Sequence, residues 1–183
     1  MGEERTTRSR RAFEGGLISV RVDTVRLASG REATRETVEH PGAVGILAWD
    51  GERVALVRQW RHAAAQPLLE IPAGTLDAGE EPLATARREL AEECALAADH
   101  WEAGPTFYTA PGFCTERLTL FLATDLRPAS VAGPEDEELE LSWPTLGGAL
   151  AALDAGEIAD AKTVAGLLWL DRRLASRARP SRT

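Results

Sequence analysis

A chain of 183 residues, 44% hydrophobic and 27% charged, has ordinary globular composition and is long enough to bury a core. Its net charge of −8, with no basic cluster larger than "RSRR" near the N-terminus, argues against a nucleic-acid backbone as partner. No apolar run is long enough to span a membrane, there is no signal-peptide core, and Cys94 and Cys114 lack metal-type spacing, so the expectation is a cytoplasmic protein with reduced thiols.

Residues 1–11, "MGEERTTRSRR", and the C-terminal 178–183 are polar and basic and read as disordered tails. From Ala12 the pattern alternates. "LISVRVDTVRL" sets Leu17, Val20, Val22 and Val25 among polar residues, "SGR" supplies a turn, and "EATRETVEH" returns, so 12–42 is expected to be a β-meander. The main domain, 43–177, opens with "AVGILAW", a turn at "DGE" and "RVALVRQW", read as a buried hairpin. "PLLEIPAG" is a short strand ended by Pro72 and Gly74. A helix then opens at Pro82 and runs through Cys94. "TFYTAPGF" and "ERLTLFLATDL" are strands about a Pro-Gly turn, and "ELELSW" is another. "LGGALAALDAG" is a short helix closed by Gly156, and "AKTVAGLLWLDRRLA" is a longer one with Val164, Leu167, Leu168 and Leu174 at helical spacing. Strands and helices without strict alternation predict an α+β domain, layered α/β/α around a mixed sheet.

The stretch Gly74–Leu96, "GTLDAGEEPLATARRELAEECAL", carries six acidic side chains, with Glu89, Glu92 and Glu93 inside five positions. Like charges three and four apart on a helix repel by roughly 0.2–0.5 kcal/mol per pair. At about 100° per residue, Leu83, Ala86, Leu90 and Cys94 form the buried arc, while Glu89 and Glu93 lie on its shoulder and Glu92 further out. Partly buried carboxylates need a partner, and hard divalent cations bind clustered oxygens.

The spacing from Gly74 is five residues, Glu80, seven residues, then Arg88-Glu89-Leu90-Ala91-Glu92-Glu93-Cys94-Ala95-Leu96. It resembles the box of the Nudix hydrolases, which act on nucleoside diphosphates linked to another moiety. One defined position departs, with Ala95 standing where the family carries its second glycine. The resemblance implies the Nudix fold and an Mg²⁺ or Mn²⁺ site. Glu89, Glu93 and the Ala73 carbonyl would be ligands, Glu92 and Glu80 would support them or a second metal, and Arg88 would orient a glutamate.

Outside the box, Pro111 follows Leu96 by fifteen residues within "YTAPGFCTERLTLFLA". This segment, "VEHPGAVGILA", "VRQWRHAAAQPLLEIPAG" and "GEIADAKTVAGLLWL" are similar to the ADP-ribose pyrophosphatase branch, so that the resemblance spans Phe13 to Leu170. It implies hydrolysis of ADP-ribose to AMP and ribose 5-phosphate, with Arg61 on the diphosphate, Glu116 near the metals or terminal ribose, and Glu135 or Glu137 activating water. It also implies a homodimer exchanging N-terminal strands, in which Arg35 packs on the adenine bound by the other subunit. A second departure falls at Gly16, where an adenine-stacking aromatic of the branch would stand; Phe13 and Trp60 are the candidates to replace it. UDP- and GDP-sugars, FAD and NADH therefore remain alternative substrates. A ligand sensor that binds ADP-ribose without cutting it is a further alternative, against which the intact carboxylates argue.

Overall fold

A computed structural model describes residues 2–130 and 138–178. The chain divides into two compact units, Met1–Gly42 with Phe107–Arg117, and Ala43–Thr106 with Leu118–Thr183.

In the first unit β1 (Arg5–Glu14), β2 (Ser19–Arg26) and β3 (Glu32–Glu39) form an antiparallel sheet in that order. The polar, basic composition of residues 1–11 predicts a disordered tail, whereas 5–11 are strand. All ten residues of β1 are exposed, which leaves no apolar period to read. Main-chain pairing holds β1 on β2, helped by polar cross-strand contacts. The Ser9 hydroxyl donates to Asp23 Oδ1 at 2.6 Å, and the Arg11 guanidinium reaches Ser19 and Glu39. Asp23 is buried, and hydrogen bonds from Ser9 and Arg21 keep its carboxyl below the usual range against the opposing effect of burial. Segment 107–117 joins this unit through the main chain, Val38 N donating to Phe113 O at 2.7 Å and Thr115 N to Val38 O at 2.9 Å.

The second unit contains β4 (Ala43–Ala48), β5 (Leu56–Arg61), β6 (Gln66–Glu70), β7 (Ala73–Thr75) and α1 (Pro82–Cys94). It continues with β8 (Leu96–Tyr108), β9 (Arg117–Pro128), β10 (Glu140–Ser142), α2 (Leu146–Asp154) and α3 (Ala161–Ala178), the first two of these running on from the unit boundary. One sheet has the order β7-β4-β9-β8 and the other β10-β5-β6. The first is mixed, since β4 runs antiparallel to β7 and parallel to β9.

β4 is buried throughout because both of its faces are covered. Val44, Ile46 and Ala48 share a core with Ala86, Leu90 and Cys94 of α1. On the other face Leu47 and Ile71 meet α3 at Gly166, where an added Cβ would lie 3.1 Å from Ile71 Cδ1. The result is helix, sheet, helix. β4 and β5 do turn back on each other at a Trp49–Val54 bridge, but they do not form the expected hairpin; they diverge into separate sheets. Ala48 O still accepts from Ala55 N, but farther back that edge of β4 is taken by β7, with Ile46 N donating to Pro72 O, while the ladder from Ala43↔Leu118 to Ala48↔Ala123 fills the other edge. β8 likewise begins at Leu96 rather than at Thr106, its mixed sequence "LAADHWEAGP" giving no clean alternation.

Helix α1 carries Pro82 at its start and buries Thr85, Ala86, Leu90 and Cys94. Burial pushes the Cys94 thiol up to about 12, so it remains a neutral core group. The helix ends at Ala95, which adopts φ 54° and ψ 38°, its N–H reaching the carbonyls of Ala91 and Leu90. This left-handed geometry favours glycine, the residue expected at this place from the sequence pattern. Ala95→Gly is therefore expected to stabilise the protein by roughly 0.5–1 kcal/mol, after offsetting the extra freedom of glycine in the unfolded chain. A thermal melt should show a rise of about 1–4 °C; an unchanged or lowered midpoint would contradict the strain at this cap.

Candidate active site

The acidic cluster is organised by one cation. Arg88, nearly two turns into α1, projects beside the loop that carries Glu80 and beside the end of β7. Its Nε and Nη2 donate to Glu80 Oε1 and Oε2 at 3.3 and 3.2 Å. Nη1 donates to Glu89 Oε1 at 2.6 Å and to Glu92 Oε2 at 3.0 Å, and Nη2 also reaches the Thr75 carbonyl at 3.4 Å. Three carboxylates and a strand carbonyl thus share one guanidinium, whose planar fork suits such multidentate contact. The Arg88 hydrogen bonds hold the Glu80 carboxyl down to about 2, and Glu80 in turn is the main cause of a raised Arg88. Much of the repulsion anticipated along this helix is offset here.

Glu93 faces β7, accepting a hydrogen bond from Ala73 N–H through Oε2 at 3.1 Å. Glu89 packs directly over the next residue of the strand: a Cβ at Gly74 would lie 1.9 Å from both Glu89 Cδ and Oε1. The glycine is required by close approach. Its absence of a side chain lets the Glu89 carboxylate lie against the strand whose Ala73 carbonyl is the third ligand expected from the sequence. The Glu89, Glu92 and Arg88 side chains are 12%, 31% and 33% exposed, so the cluster opens to solvent on one side.

Among the described residues no three His, Cys, Asp or Glu side chains converge into a ready-made metal cage. The donors do fit a hard cation of the Mg²⁺ kind, which takes oxygen ligands and is bound through one or two carboxylates plus substrate phosphates. Glu89, Glu93 and the Ala73 carbonyl, all at the α1–β7 contact, are the oxygens that would hold it; Glu92 lies on the outer side with Arg88.

Arg61 on β5 is gripped at two points by Glu70, Nε to Oε1 at 2.8 Å and Nη2 to Oε2 at 2.7 Å. In the first unit Arg35 and Pro111 line one cavity of about 480 Å³ together with Tyr108, Phe113 and Arg117. Arg35 is paired there with Glu4, Nη2 to Oε1 at 2.6 Å. Glu116 is not among the residues lining that cavity; it accepts from the Thr109 hydroxyl and stands 3.8 Å from His40 Nδ1. Glu135 and Glu137 lie outside the described residues.

Residues 39–167 match the NUDIX domain. The chain is a member of the Nudix family. It is 38% identical over 179 residues to the ADP-ribose pyrophosphatase of Bacillus subtilis (strain 168), covering 96% of this chain and 97% of that protein. It is 40% identical over 167 residues to the ADP-ribose pyrophosphatase of Mycobacterium tuberculosis (strain ATCC 25618 / H37Rv), covering 89% and 81%. A methanol dehydrogenase activator of Bacillus methanolicus is 38% identical over 171 residues, 92% of each chain. The crystal structure of an ADP compounds hydrolase superposes with a TM-score of 0.87 at 22% identity over 98% of both chains, which establishes the α+β fold.

Within the Nudix domain two charged residues near Arg61 belong to no motif that the sequence offers. Glu70 stands in the apolar run "PLLEIPAG" and Lys162 in "DAKT", and both are nearly enclosed, the Glu70 side chain 1% exposed and that of Lys162 11%. A lone acid inside a strand of apolar residues was the available signal for the first. Nothing local marked its cation, which arrives from α3.

Proposed function

We propose that this Nudix protein hydrolyses the pyrophosphate bond of ADP-ribose, giving AMP and ribose 5-phosphate, with Mg²⁺ or Mn²⁺ and in the cytoplasm. The observation that carries the reading is the Arg88-centred carboxylate cluster with Glu93 on the Ala73 amide, found in a chain closely similar to two ADP-ribose pyrophosphatases. Bound at Glu89, Glu93 and the Ala73 carbonyl, the cation would neutralise phosphate charge, polarise the phosphorus and acidify the attacking water. Arg88 keeps Glu89 and Glu92 from repelling each other when the diphosphate is absent. Arg61 would pair with the diphosphate, Glu116 would serve the metals or terminal ribose, and Glu135 or Glu137 would take the proton of the attacking water. In a homodimer built through the N-terminal strands, Arg35 would leave Glu4 and pack on the adenine held by the other subunit, with Pro111 shaping the same recess. Such a site works by positioning and electrostatics, as phosphoryl transfer requires.

Gly16 favours a second reading within the same chemistry, another nucleoside diphosphate derivative, because glycine offers no ring to stack on adenine. Product analysis by chromatography separates the two. Purified protein is offered ADP-ribose, UDP-glucose, GDP-mannose, FAD and NADH, each with and without Mg²⁺. AMP released fastest from ADP-ribose, and only with metal, is the expected result. Faster cleavage of another compound moves the substrate; no cleavage of any overturns the enzymatic reading.

A further inference from the structure

Glu70 is the most deeply enclosed ionised side chain near Arg61, and both of its oxygens are engaged. Arg61 takes one with Nε and the other with Nη2, and Lys162 Nζ joins at Oε2. Lys162 also lies 3.1 Å from Asp160 Oδ2, which accepts the Thr163 N–H at 2.9 Å and the Thr163 hydroxyl at 2.6 Å. Thr163 Oγ1 in turn accepts the Ile71 N–H at 2.8 Å. Two acids and two bases therefore clip the first turn of α3 to the end of β6, beside the strand that carries Ala73. Burial raises the Glu70 carboxyl, but the Arg61 and Lys162 contacts more than offset this and leave it below its ordinary value.

A buried ion pair is a poor device for stability alone, since apolar side chains of similar volume often do as well. What it supplies is direction. The carboxylate holds one edge of the Arg61 guanidinium from inside the protein, while 38% of that side chain is exposed. An arginine fixed in this way loses little further freedom when an anion binds, so its contact is available at low entropic cost.

We infer that Glu70 and Lys162 are positioning residues that set the Arg61 guanidinium for the substrate's diphosphate, Glu70 by a two-point grip and Lys162 by fixing the rotamer of Glu70. The inference rests on the proposed reading of Arg61 as a diphosphate ligand. With ADP-ribose as substrate, Lys162→Met is expected to raise KM about tenfold while kcat changes less than about threefold, as for loss of binding common to ground and transition states. Arg61→Ala should raise KM at least as much, and adding Lys162→Met to it should change KM by less than twofold, because residues acting through one another are not additive. Glu70→Gln, which keeps the volume and breaks the two-point grip, should repeat the pattern. On the wild-type protein, nitrogen-15 NMR should show an Arg61 Nε–H signal protected from solvent exchange and lost in Arg61→Lys. An unchanged KM in folded Lys162→Met, equal effects with and without Arg61, or an unprotected Nε–H would each overturn the inference. Failure of the wild type to cleave any diphosphate would instead overturn the functional reading, and the NMR signal would still judge the positioning.

Discussion

Glu93→Gln is expected to lower kcat/KM for ADP-ribose by on the order of 10²–10³-fold, the range seen when one pre-set electrostatic contact is removed from a transition state. The substitution is nearly isosteric. The amide oxygen of glutamine can accept the Ala73 N–H that Glu93 now accepts at 3.1 Å, so the α1–β7 contact keeps its hydrogen bond. What disappears is one negative charge among the oxygens proposed for the cation. The melting temperature should therefore stay within about 2 °C of wild type, a shift corresponding to less than 1 kcal/mol in a protein of this size. Activity and melting are measured on the same preparation, and added Mg²⁺ up to high concentration should recover part of the loss if the defect lies in cation affinity. Near-normal turnover at ordinary Mg²⁺ would show that Glu93 is not a ligand, and a large fall in melting temperature would assign it a structural role instead.

The contrast between α1 and β1 shows what made parts of this chain legible. The helix buries one stripe, so Ala86, Leu90 and Cys94 recur at helical spacing, and the carboxylates at its shoulder are placed by the same count. β1 buries no residue, and a strand held only by main-chain pairing and cross-strand polar contacts leaves no mark in hydropathy. The β4–β5 hairpin failed for a different reason. Short apolar segments beside a turn specify strands but not partners, and β9, the parallel neighbour of β4, is far along the sequence.

At the candidate site the distinction is similar. The box residues are legible through their resemblance to the Nudix pattern, and for those on α1 the helical count adds their mutual placement, with Arg88 and Glu92 four apart and joined at 3.0 Å. The partners of Arg61 and Arg35 are not, because Glu70 and Glu4 reach them from other parts of the chain, and Lys162 joins Glu70 from α3. Ala95 is the instructive exception. Its departure from the box pattern was visible at once, and the left-handed cap locates its effect at the helix end, leaving the carboxylates one turn earlier in place.

Gly74→Ala is expected to reduce kcat/KM by about 10–100-fold, the scale on which disturbed support of a metal ligand acts. Its Cβ would fall 1.9 Å from Glu89 Cδ and Oε1 and 2.4 Å from Cγ, well inside contact distance. Something must move, and the free energy decides which group. Shifting β7 would disturb its pairing with β4, where Val44 faces Gly74 in a fully covered strand. Rotating the Glu89 side chain costs less, because its carboxylate lies at the end of three torsions and its contact with Arg88 Nη1 is part of a partly exposed network. The protein should therefore fold, at a cost of roughly 1 kcal/mol and a few degrees in melting temperature. The carboxylate would then point away from the Ala73 carbonyl, and the variant should behave as Glu89→Gln does. The double variant Gly74→Ala with Glu89→Gln tests this directly: it should be no worse than Glu89→Gln alone, since both changes remove the same group from the same place. Multiplied losses would mean that Gly74 acts through the strand, and full activity in Gly74→Ala would mean that Glu89 does not need its position against β7.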